Sequence, residues 1–204
     1  ELLFAIAATG VREVEATAVV SPSKVPALAD APEFSAQLAA YPDIEFSALV
    51  ASPNGARRAI AAGLHSLEYV VSAADGHSNA NVGRSSAEAT AQIAEIVAIA
   101  HDAGVSVEVI IATAWDCPFD GPTPPERVLA VVDAAVGFGA DRLAIADTIG
   151  TATPGRVTAL VAAVRPLIVR FALRNVAPRW LLCVCDIQHN LRKRQSVSNL
   201  DRVG

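Results

Sequence analysis

Residues 105–147 read VSVEVIIATAWDCPFDGPTPPERVLAVVDAAVGFGADRLAIAD, and this stretch decides the fold. It predicts a strand at 105–114, a helix at 124–137 and a second strand at 142–147. Both strands are apolar at nearly every position, which is typical of parallel strands covered by helices on both faces. A pair of prolines begins the helix and a glycine follows its end. The stretch therefore predicts one strand–helix–strand unit of a parallel α/β fold.

The same alternation runs outward from this stretch. It predicts strands at 11–20, 45–51 and 66–73, and helices at 1–9, 25–40, 54–62, 86–103 and 153–167. A doubly wound sheet and an eight-stranded barrel both fit such a pattern. Two observations favour the barrel: the chain opens within a predicted helix, and no strand is followed by a glycine-rich phosphate loop. We therefore expect an α/β fold that is an incomplete TIM-type (β/α)8 barrel, with about strands two to six and their helices.

Composition sets limits on the class of protein. The chain has 204 residues, of which 52% are hydrophobic, enough for one sizeable core. This composition excludes a disordered chain, and three cysteines in this length do not make a disulfide framework. No apolar run long enough to span a membrane lacks a charge or a helix breaker, and the N-terminus is not a signal peptide. We expect a cytoplasmic protein with no membrane partner.

The charge changes sign along the chain. Residues 1–164 hold 8 of the 16 Lys and Arg but 19 of the 21 Asp and Glu, so the final segment is basic. We expect a partial barrel domain at 1–168 and a basic tail of uncertain structure at 169–204. Two origins of the tail stay open: a frame-shifted end, which the abrupt loss of periodicity favours, or a native basic arm. Nucleic-acid binding ranks last, because Arg192-Lys193-Arg194 lacks interleaved aromatic residues.

Polar residues at the carboxyl ends of the predicted strands are candidates for a site, because that is where α/β folds place them. Asp147 closes an apolar strand and predicts either a metal or substrate carboxylate or a helix cap. Glu15 is expected to be buried, which requires an ion-pair partner or a metal. Residues 72–81 predict a polar loop that either holds a ligand or is simply solvated. Cys117 is interpreted as buried filler, since no histidine lies near it in the sequence.

Several segments together resemble one family, although each alone is weakly specific. The segments are Val14-Glu15-Ala16-Thr17, Ser21-Pro22 with Val25-Pro26, Asn79-Ala80-Asn81, Cys117-Pro118-Phe119-Asp120-Gly121 and Asp147-Thr148-Ile149-Gly150-Thr151. Over residues 1–168 they resemble 3-hydroxy-3-methylglutaryl-CoA lyase and the metal-dependent barrel enzymes related to isopropylmalate synthase. The resemblance points to the lyase branch rather than to the synthases.

The resemblance implies a carbon–carbon lyase that cleaves a 3-hydroxyacyl-CoA to acetyl-CoA and a keto acid, as in leucine degradation. It implies a divalent metal, Mg²⁺ or Mn²⁺, and it implies an acyl-CoA substrate and a homodimer as partners. By this resemblance Glu15 and Asp147 are catalytic, and Ser72, Asn79 and Thr148 bind the substrate.

The chain also departs from the family pattern. The family's Arg-Asp-Gly-Leu-Gln motif on its first strand is absent, and Val169 to Arg174 stands where the His-x-His metal ligands of the seventh strand are expected. The glycine-rich loop with the catalytic Cys is also missing, and Glu108 replaces an Arg near the expected mouth of the barrel. We therefore expect this chain alone to be inactive. Two alternatives remain: a condensing enzyme of the isopropylmalate or citramalate type, and a non-catalytic truncated barrel.

Overall fold

A computed structural model describes residues 2–20, 23, 25–172 and 182–186 of the chain. Its elements follow in the order α1 (Leu2–Ala7), β1 (Glu13–Val19), α2 (Ala31–Ser35), β2 (Glu45–Val50), α3 (Pro53–Ala61), β3 (Ser66–Ser72), α4 (Asp75–Val82), α5 (Ser86–Asp102), β4 (Ser106–Ala112), β5 (Asp116–Cys117), β6 (Gly121–Pro122), α6 (Pro125–Gly137), β7 (Arg142–Asp147), α7 (Pro154–Ala172) and β8 (Leu182–Asp186). Two short 3-10 helices, Pro26–Leu28 and Leu38–Ala40, flank α2. No helix in the part of the chain that the structure describes is long and apolar enough to cross a membrane.

Six strands form a sheet in the order β1-β2-β3-β4-β7-β8. The pairs β1–β2, β2–β3, β4–β7 and β7–β8 are parallel. A doubly wound sheet reverses its strand order at its switch point, whereas this order follows the chain from one edge to the other. The predicted parallel α/β fold is therefore confirmed, and its strand order is that of a barrel rather than of a doubly wound sheet.

The chain divides into two compact units. The first contains Glu1–Tyr69 and Glu95–Val107, and the second contains Val70–Ala94 and Glu108–Gly204. The core of the first unit includes Phe46, Ala48, Val50, Leu67, Tyr69, Ile96, Ala100 and Val107. The core of the second includes Val71, Ile93, Val109, Ile111, Val128, Val132, Leu143, Ile145 and Val164. Each Val, Leu, Ile or Phe side chain among them stabilises the fold by about 1.5–3 kcal/mol through burial, and each alanine by less. These cores hold the strands whose ends carry the polar residues.

One predicted helix is wrong. Residues 25–40 form three short helical segments instead of a single helix. Pro26 and Pro32 lie at or next to the starts of two of these segments. Proline fits the first turn of a helix but lacks the N–H that a helix interior needs, so each proline begins a segment and neither continues one.

The segment predicted as a polar loop is also different in the structure. Residues 75–82 form α4, which ends at Gly83 in the left-handed conformation at φ 71°. Ser78 is the only buried residue of this helix. Its sequence therefore shows little of the apolar periodicity from which a helix is predicted. The hairpin after β4, formed by β5 and β6, differs from the prediction as well, because no strands were expected there. Its strands are two residues long and pair antiparallel, with Asp116 opposite Pro122.

The basic tail is described only in part. Helix α7 continues through Pro166 to Ala172, beyond the predicted end at 167. Strand β8 then pairs with β7, with Ala144 opposite Cys183 and Ala146 opposite Cys185. The rest of 169–204 lies outside the described residues, and the predicted domain boundary at 168 stays a prediction.

Candidate functional site

Buried polar residues gather at the carboxyl ends of β3, β4 and β7, all within the second unit. They are Ser72, Thr113, Asp147 and Thr148, and each is less than a tenth exposed. Three of the five site residues predicted from the sequence belong to this set. Parallel strands place their carboxyl ends at one edge of a sheet, which is where ligands bind in α/β folds. This edge is the candidate site.

Asp147 is the last residue of β7 and is 8% exposed. Its Oδ1 accepts a hydrogen bond from the backbone N–H of Thr151 at 3.1 Å, and its Oδ2 accepts one from Ala152 at 2.8 Å. The carboxylate therefore shapes the loop that leads into α7. Asp147 thus caps this loop rather than the first turn of α7, which begins at Pro154, and its remaining lone pairs are held in fixed directions. Its role toward a metal or a substrate stays a prediction.

Thr148 and Thr113 join the ends of β7 and β4. The backbone N–H of Thr113 donates to Oγ1 of Thr148 at 2.7 Å. Thr113 has φ 54°, and among the described residues it is the one non-glycine residue at positive φ. A β-branched residue in this region carries a backbone cost of about 1–2 kcal/mol. Its hydroxyl donates to the carbonyl oxygen of Ala112 at 2.7 Å, which anchors the side chain locally.

Ser72 ends β3 and pairs with His77 in the first turns of α4. The distance from Ser72 Oγ to His77 Nδ1 is 2.6 Å. Burial lowers the pKa of His77 below its ordinary value. The ring of His77 lies 6.4 Å from the ring of Phe119 in the β5–β6 hairpin. The pair therefore places a predominantly neutral imidazole beside the candidate site at physiological pH.

The hairpin tip docks onto the start of α4. The backbone N–H of Gly76 donates to Oδ2 of Asp120 at 2.7 Å. A Cβ at position 76 would lie 2.7 Å from Cβ of Phe119, so this close approach requires glycine. Asn79, predicted to bind substrate, is exposed on α4, and its amide donates to the carbonyl oxygen of Asp75 at 2.9 Å.

Two ion pairs brace the surroundings of the site. Asp75 pairs with Arg127 of α6 and accepts from the backbone N–H of Ser86, and these bonds lower the pKa of Asp75. Asp116 pairs with Arg156 of α7 at 2.7 Å, which lowers the pKa of Asp116 and raises that of Arg156. Both pairs connect segments distant in sequence. They hold the loops in place rather than offering free charges to a ligand.

The predicted burial of Glu15 is wrong. Glu15 is exposed on β1, in the first unit. Within the described chain only β2 pairs with β1, and the register shifts between Glu15 and Thr17. An edge strand has a neighbour on one side only, and a register irregularity re-aims its side chains. The sequence could not reveal this, because apolar residues follow Glu15 as they would in a central strand.

Glu108 does not lie near the mouth of the barrel, contrary to expectation. It is the third residue of β4, at the amino end, where it is opposite Arg142, the first residue of β7. Glu108 is buried, and its Oε2 lies 3.3 Å from Nη2 of Arg142. The charge reversal therefore belongs to an ion pair between buried Glu108 and the partly exposed Arg142, at the opposite end of these strands from Asp147.

Cys117 is buried at 3% exposure, and its sulfur accepts a hydrogen bond from the backbone N–H of Phe119. This agrees with its interpretation as buried filler. The first unit has a cavity of about 540 Å³, lined by residues that precede β1 and β2 such as Arg12, Tyr41 and Asp43. The carboxyl ends of β3, β4 and β7 are the stronger candidate site, because their buried polar groups are held in fixed geometry.

The described residues do not fit the divalent metal that the resemblance implies. Among them no three His, Cys, Asp or Glu side chains are placed to hold an ion. The strand next to β7 is β8, and its sequence is Leu182-Cys183-Val184-Cys185-Asp186, with no histidine. A metal would need ligands beyond this set, and we derive no step through one.

Three residues of this region were missed by sequence reasoning: Thr113, His77 and Arg156. Their partners are 35, 5 and 40 residues away along the chain, and none of these spacings is a recognisable motif. Thr113 in particular owes its interest to a backbone angle, which one residue name does not predict.

Comparisons with known proteins agree with this architecture. Residues 1–173 match the HMGL-like family. The chain is 35% identical over 170 residues to the (R)-citramalyl-CoA lyase of Chloroflexus aurantiacus, covering 78% of this chain and 54% of that protein. It is 28% identical to the hydroxymethylglutaryl-CoA lyase YngG of Bacillus subtilis, covering 83% and 56%. The chain thus spans about half the length of these curated relatives.

Solved structures show the same likeness. The HMG-CoA lyase of Bacillus subtilis superposes with a TM-score of 0.77 at 26% identity, covering 88% of this chain and 58% of that chain. An HMG-CoA lyase from Acinetobacter baumannii, solved with coenzyme A and 3-methylmalate, superposes with a TM-score of 0.71 at 27% identity, covering 84% and 62%. The described strands and helices therefore correspond to part of the barrel of such lyases, and the chain belongs to the HMGL-like family.

Proposed function

We propose that this chain is the acyl-CoA-facing portion of a carbon–carbon lyase that cleaves a 3-hydroxyacyl-CoA to acetyl-CoA and a keto acid. One observation carries the proposal: in a chain of the HMGL-like family, a buried carboxylate and a buried hydroxyl, Asp147 and Thr148, follow each other at the carboxyl end of β7. The relatives named as citramalyl-CoA and hydroxymethylglutaryl-CoA lyases supply the substrate class.

We assign Asp147 as the base that removes the proton from the substrate's hydroxyl group. Its two hydrogen bonds from Thr151 and Ala152 keep the carboxylate in one orientation, and a fixed acceptor is what removal of a hydroxyl proton requires. Breaking the carbon–carbon bond after loss of that proton leaves the electron pair on acetyl-CoA as an enolate. The hydroxyl-bearing carbon becomes the carbonyl carbon of the keto acid, and the enolate takes one proton from water, balancing the one removed, to give acetyl-CoA.

The proposal gives Ser72 and Asn79 supporting roles and leaves Glu15 as a candidate. Ser72 acts by holding His77 at the edge of the site, at 2.6 Å. Asn79 is exposed and contacts the outer, polar part of the coenzyme. Glu15 remains a candidate on β1, in the first unit. Mg²⁺ or Mn²⁺ stays part of the proposal for the family reaction, with ligands from outside the described residues.

The 204-residue chain by itself is expected to bind acyl-CoA without turning it over. No three metal-ligating side chains come together among its described residues, whereas the resemblance implies a divalent metal for the family reaction. The homodimer and the cytoplasmic location also remain proposals.

The test uses the purified chain with Mg²⁺ or Mn²⁺. Calorimetry measures the binding of acetyl-CoA, and product analysis measures release of acetyl-CoA from 3-hydroxy-3-methylglutaryl-CoA and (R)-citramalyl-CoA. We expect binding without release. A folded chain that binds no acetyl-CoA contradicts the assignment of the site, and measurable release contradicts the expected inactivity.

The origin of residues 169–204 has a separate test. Sequencing the coding DNA through the codons for Leu167 to Gly204 reveals whether another frame encodes a His-x-His strand. Finding one supports a frame-shifted end, and finding none supports a native tail.

A further inference from the structure

The hydroxyl of Thr148 has one half of its hydrogen bonding satisfied and the other half unused. A threonine hydroxyl has one donor hydrogen and acceptor lone pairs. The Thr113 N–H, at 2.7 Å, occupies the acceptor side. Among the described residues Oγ1 of Thr148 has no acceptor for its own hydrogen, and the residue is only 8% exposed. A buried donor in this state calls for an oxygen supplied by a ligand or by water.

The Thr148 hydroxyl is held in place by Thr113, which follows β4 and has a strained backbone. Its φ of 54° sets the direction of its N–H, and its own hydroxyl is occupied by the carbonyl oxygen of Ala112. Thr113 is fully buried. Strain that persists in a buried β-branched residue at a strand end marks a backbone held in place by its surroundings, which is a feature of functional sites.

A second buried donor, in the loop that follows β4, also lacks a partner. Trp115, two residues after Thr113, is 3% exposed, and its indole N–H has no hydrogen-bond partner in the described part of the chain. Each of these donors follows the carboxyl end of a strand, Trp115 after β4 and Thr148 after β7. A buried donor without a partner is satisfied by an oxygen acceptor from a ligand or from water. The neighbouring Asp147 carboxylate disfavours an anionic oxygen in the ground state, and Arg156 is already paired with Asp116. A neutral carbonyl oxygen fits better than a carboxylate.

We propose that Thr148 donates its hydroxyl hydrogen to the thioester carbonyl oxygen of the acyl-CoA, and that the backbone N–H of Thr113 is the positioning group that directs it there. This inference rests on the proposed function and adds a role in the bond-breaking step. As the carbon–carbon bond breaks, negative charge develops on that carbonyl oxygen. A donor already oriented toward it stabilises the charge without reorganisation.

The test compares acetyl-CoA with S-ethyl-CoA, which has the same two-carbon chain but no carbonyl oxygen. Calorimetry on the wild-type 204-residue chain is expected to give about 5- to 10-fold tighter binding of acetyl-CoA, the effect of one net hydrogen bond. This comparison needs no substitution. Equal affinities for the two compounds overturn the inference while leaving acyl-CoA binding intact. Binding of neither compound means that the proposed function itself fails, and the inference fails with it.

Variants then test whether the Thr148 hydroxyl causes the difference between the two affinities. Thr148→Val keeps the shape of the side chain and removes the hydroxyl, so the ratio of the two affinities should fall to about one. Thr148→Ser keeps the hydroxyl and should retain the ratio within about twofold. Thr158→Val is the matched control, because Thr158 is exposed on α7 and its hydroxyl donates to the carbonyl oxygen of Pro154. A folded Thr148→Val chain with the wild-type ratio, or a Thr148→Ser chain without it, overturns the assignment to this hydroxyl.

Discussion

Asp147 and Glu15 are both carboxylates that the sequence places at predicted strand ends, but in the structure one is buried and the other is exposed. Asp147 ends a central strand of the second unit, is 8% exposed and accepts two backbone hydrogen bonds. Glu15 lies on β1 of the first unit, an edge strand of the described sheet, and is exposed. The difference teaches that burial of a strand carboxylate depends on the neighbours on both sides of its strand. The apolar residues that follow it do not decide this.

The largest expected effect concerns a third carboxylate. Glu108 is buried against Arg142. Glu108→Ala should lower the free energy of unfolding by about 3 kcal/mol, the low end for breaking a buried pair, because the Arg142 side chain is 20% exposed and loses this carboxylate. Urea denaturation measures this. Glu15→Ala is the control: because Glu15 is exposed, solvent screens its interactions, and the change in stability should stay below about 1 kcal/mol. A loss below about 1 kcal/mol for Glu108→Ala would show that water replaces the carboxylate.

The comparison itself is tested by Asp147→Ala. We expect a loss of about 2–3 kcal/mol in the free energy of unfolding, since two backbone N–H groups lose a charged acceptor. Asp147→Asn keeps one acceptor oxygen and should lose about half as much. The same urea titrations provide the measurement. Equal stabilities of the Asp147→Ala and Glu15→Ala chains would mean that Asp147 contributes no more to stability than an exposed carboxylate does.

A glycine pair tests the docking of the hairpin on α4. Gly76→Ala places a Cβ 2.7 Å from Cβ of Phe119 and should destabilise the chain by about 1–3 kcal/mol. Gly137→Ala is the control: a Cβ there meets nothing within 4 Å, and alanine should stabilise α6 by up to about 1 kcal/mol. Thermal denaturation followed by circular dichroism gives the sign of each change. A stabilised Gly76→Ala chain would mean that the hairpin is not held against α4.

The smallest expected effect is a pH dependence from His77. Burial lowers its pKa below the ordinary 6.5, so just below pH 6.5 the unfolded chain binds a proton that the folded chain does not. Stability therefore falls as pH falls through 6.5, and the loss is complete once the pH lies below the lowered pKa. His77→Gln should flatten this part of the profile. The difference between the two profiles isolates His77 from the other histidines, and parallel profiles would contradict the burial of its ring.

Much of the fold could be predicted because parallel strands and their helices have strong signals. The strand at Arg142–Asp147 was predicted with its observed bounds, and the helix that follows β6 was predicted within a residue. Weakly amphipathic elements escaped prediction. Helix α4 buries only Ser78, and the hairpin strands have two residues each, so neither produces a periodic pattern. Within the candidate site, Asp147 and Thr148 were predicted, whereas Thr113 and His77 were not.

The sequence by itself determined the parallel α/β class, the family, and the polar residues that end the apolar strands. These follow from side-chain periodicity and from motifs read along the chain, which need no knowledge of distant partners. Only the tertiary structure decided which carboxylates are buried, that Glu108 meets Arg142, and that Thr113 adopts a left-handed backbone to donate to Thr148. Those outcomes depend on residues tens of positions apart, because burial and hydrogen-bond direction are properties of packed neighbours and not of local sequence.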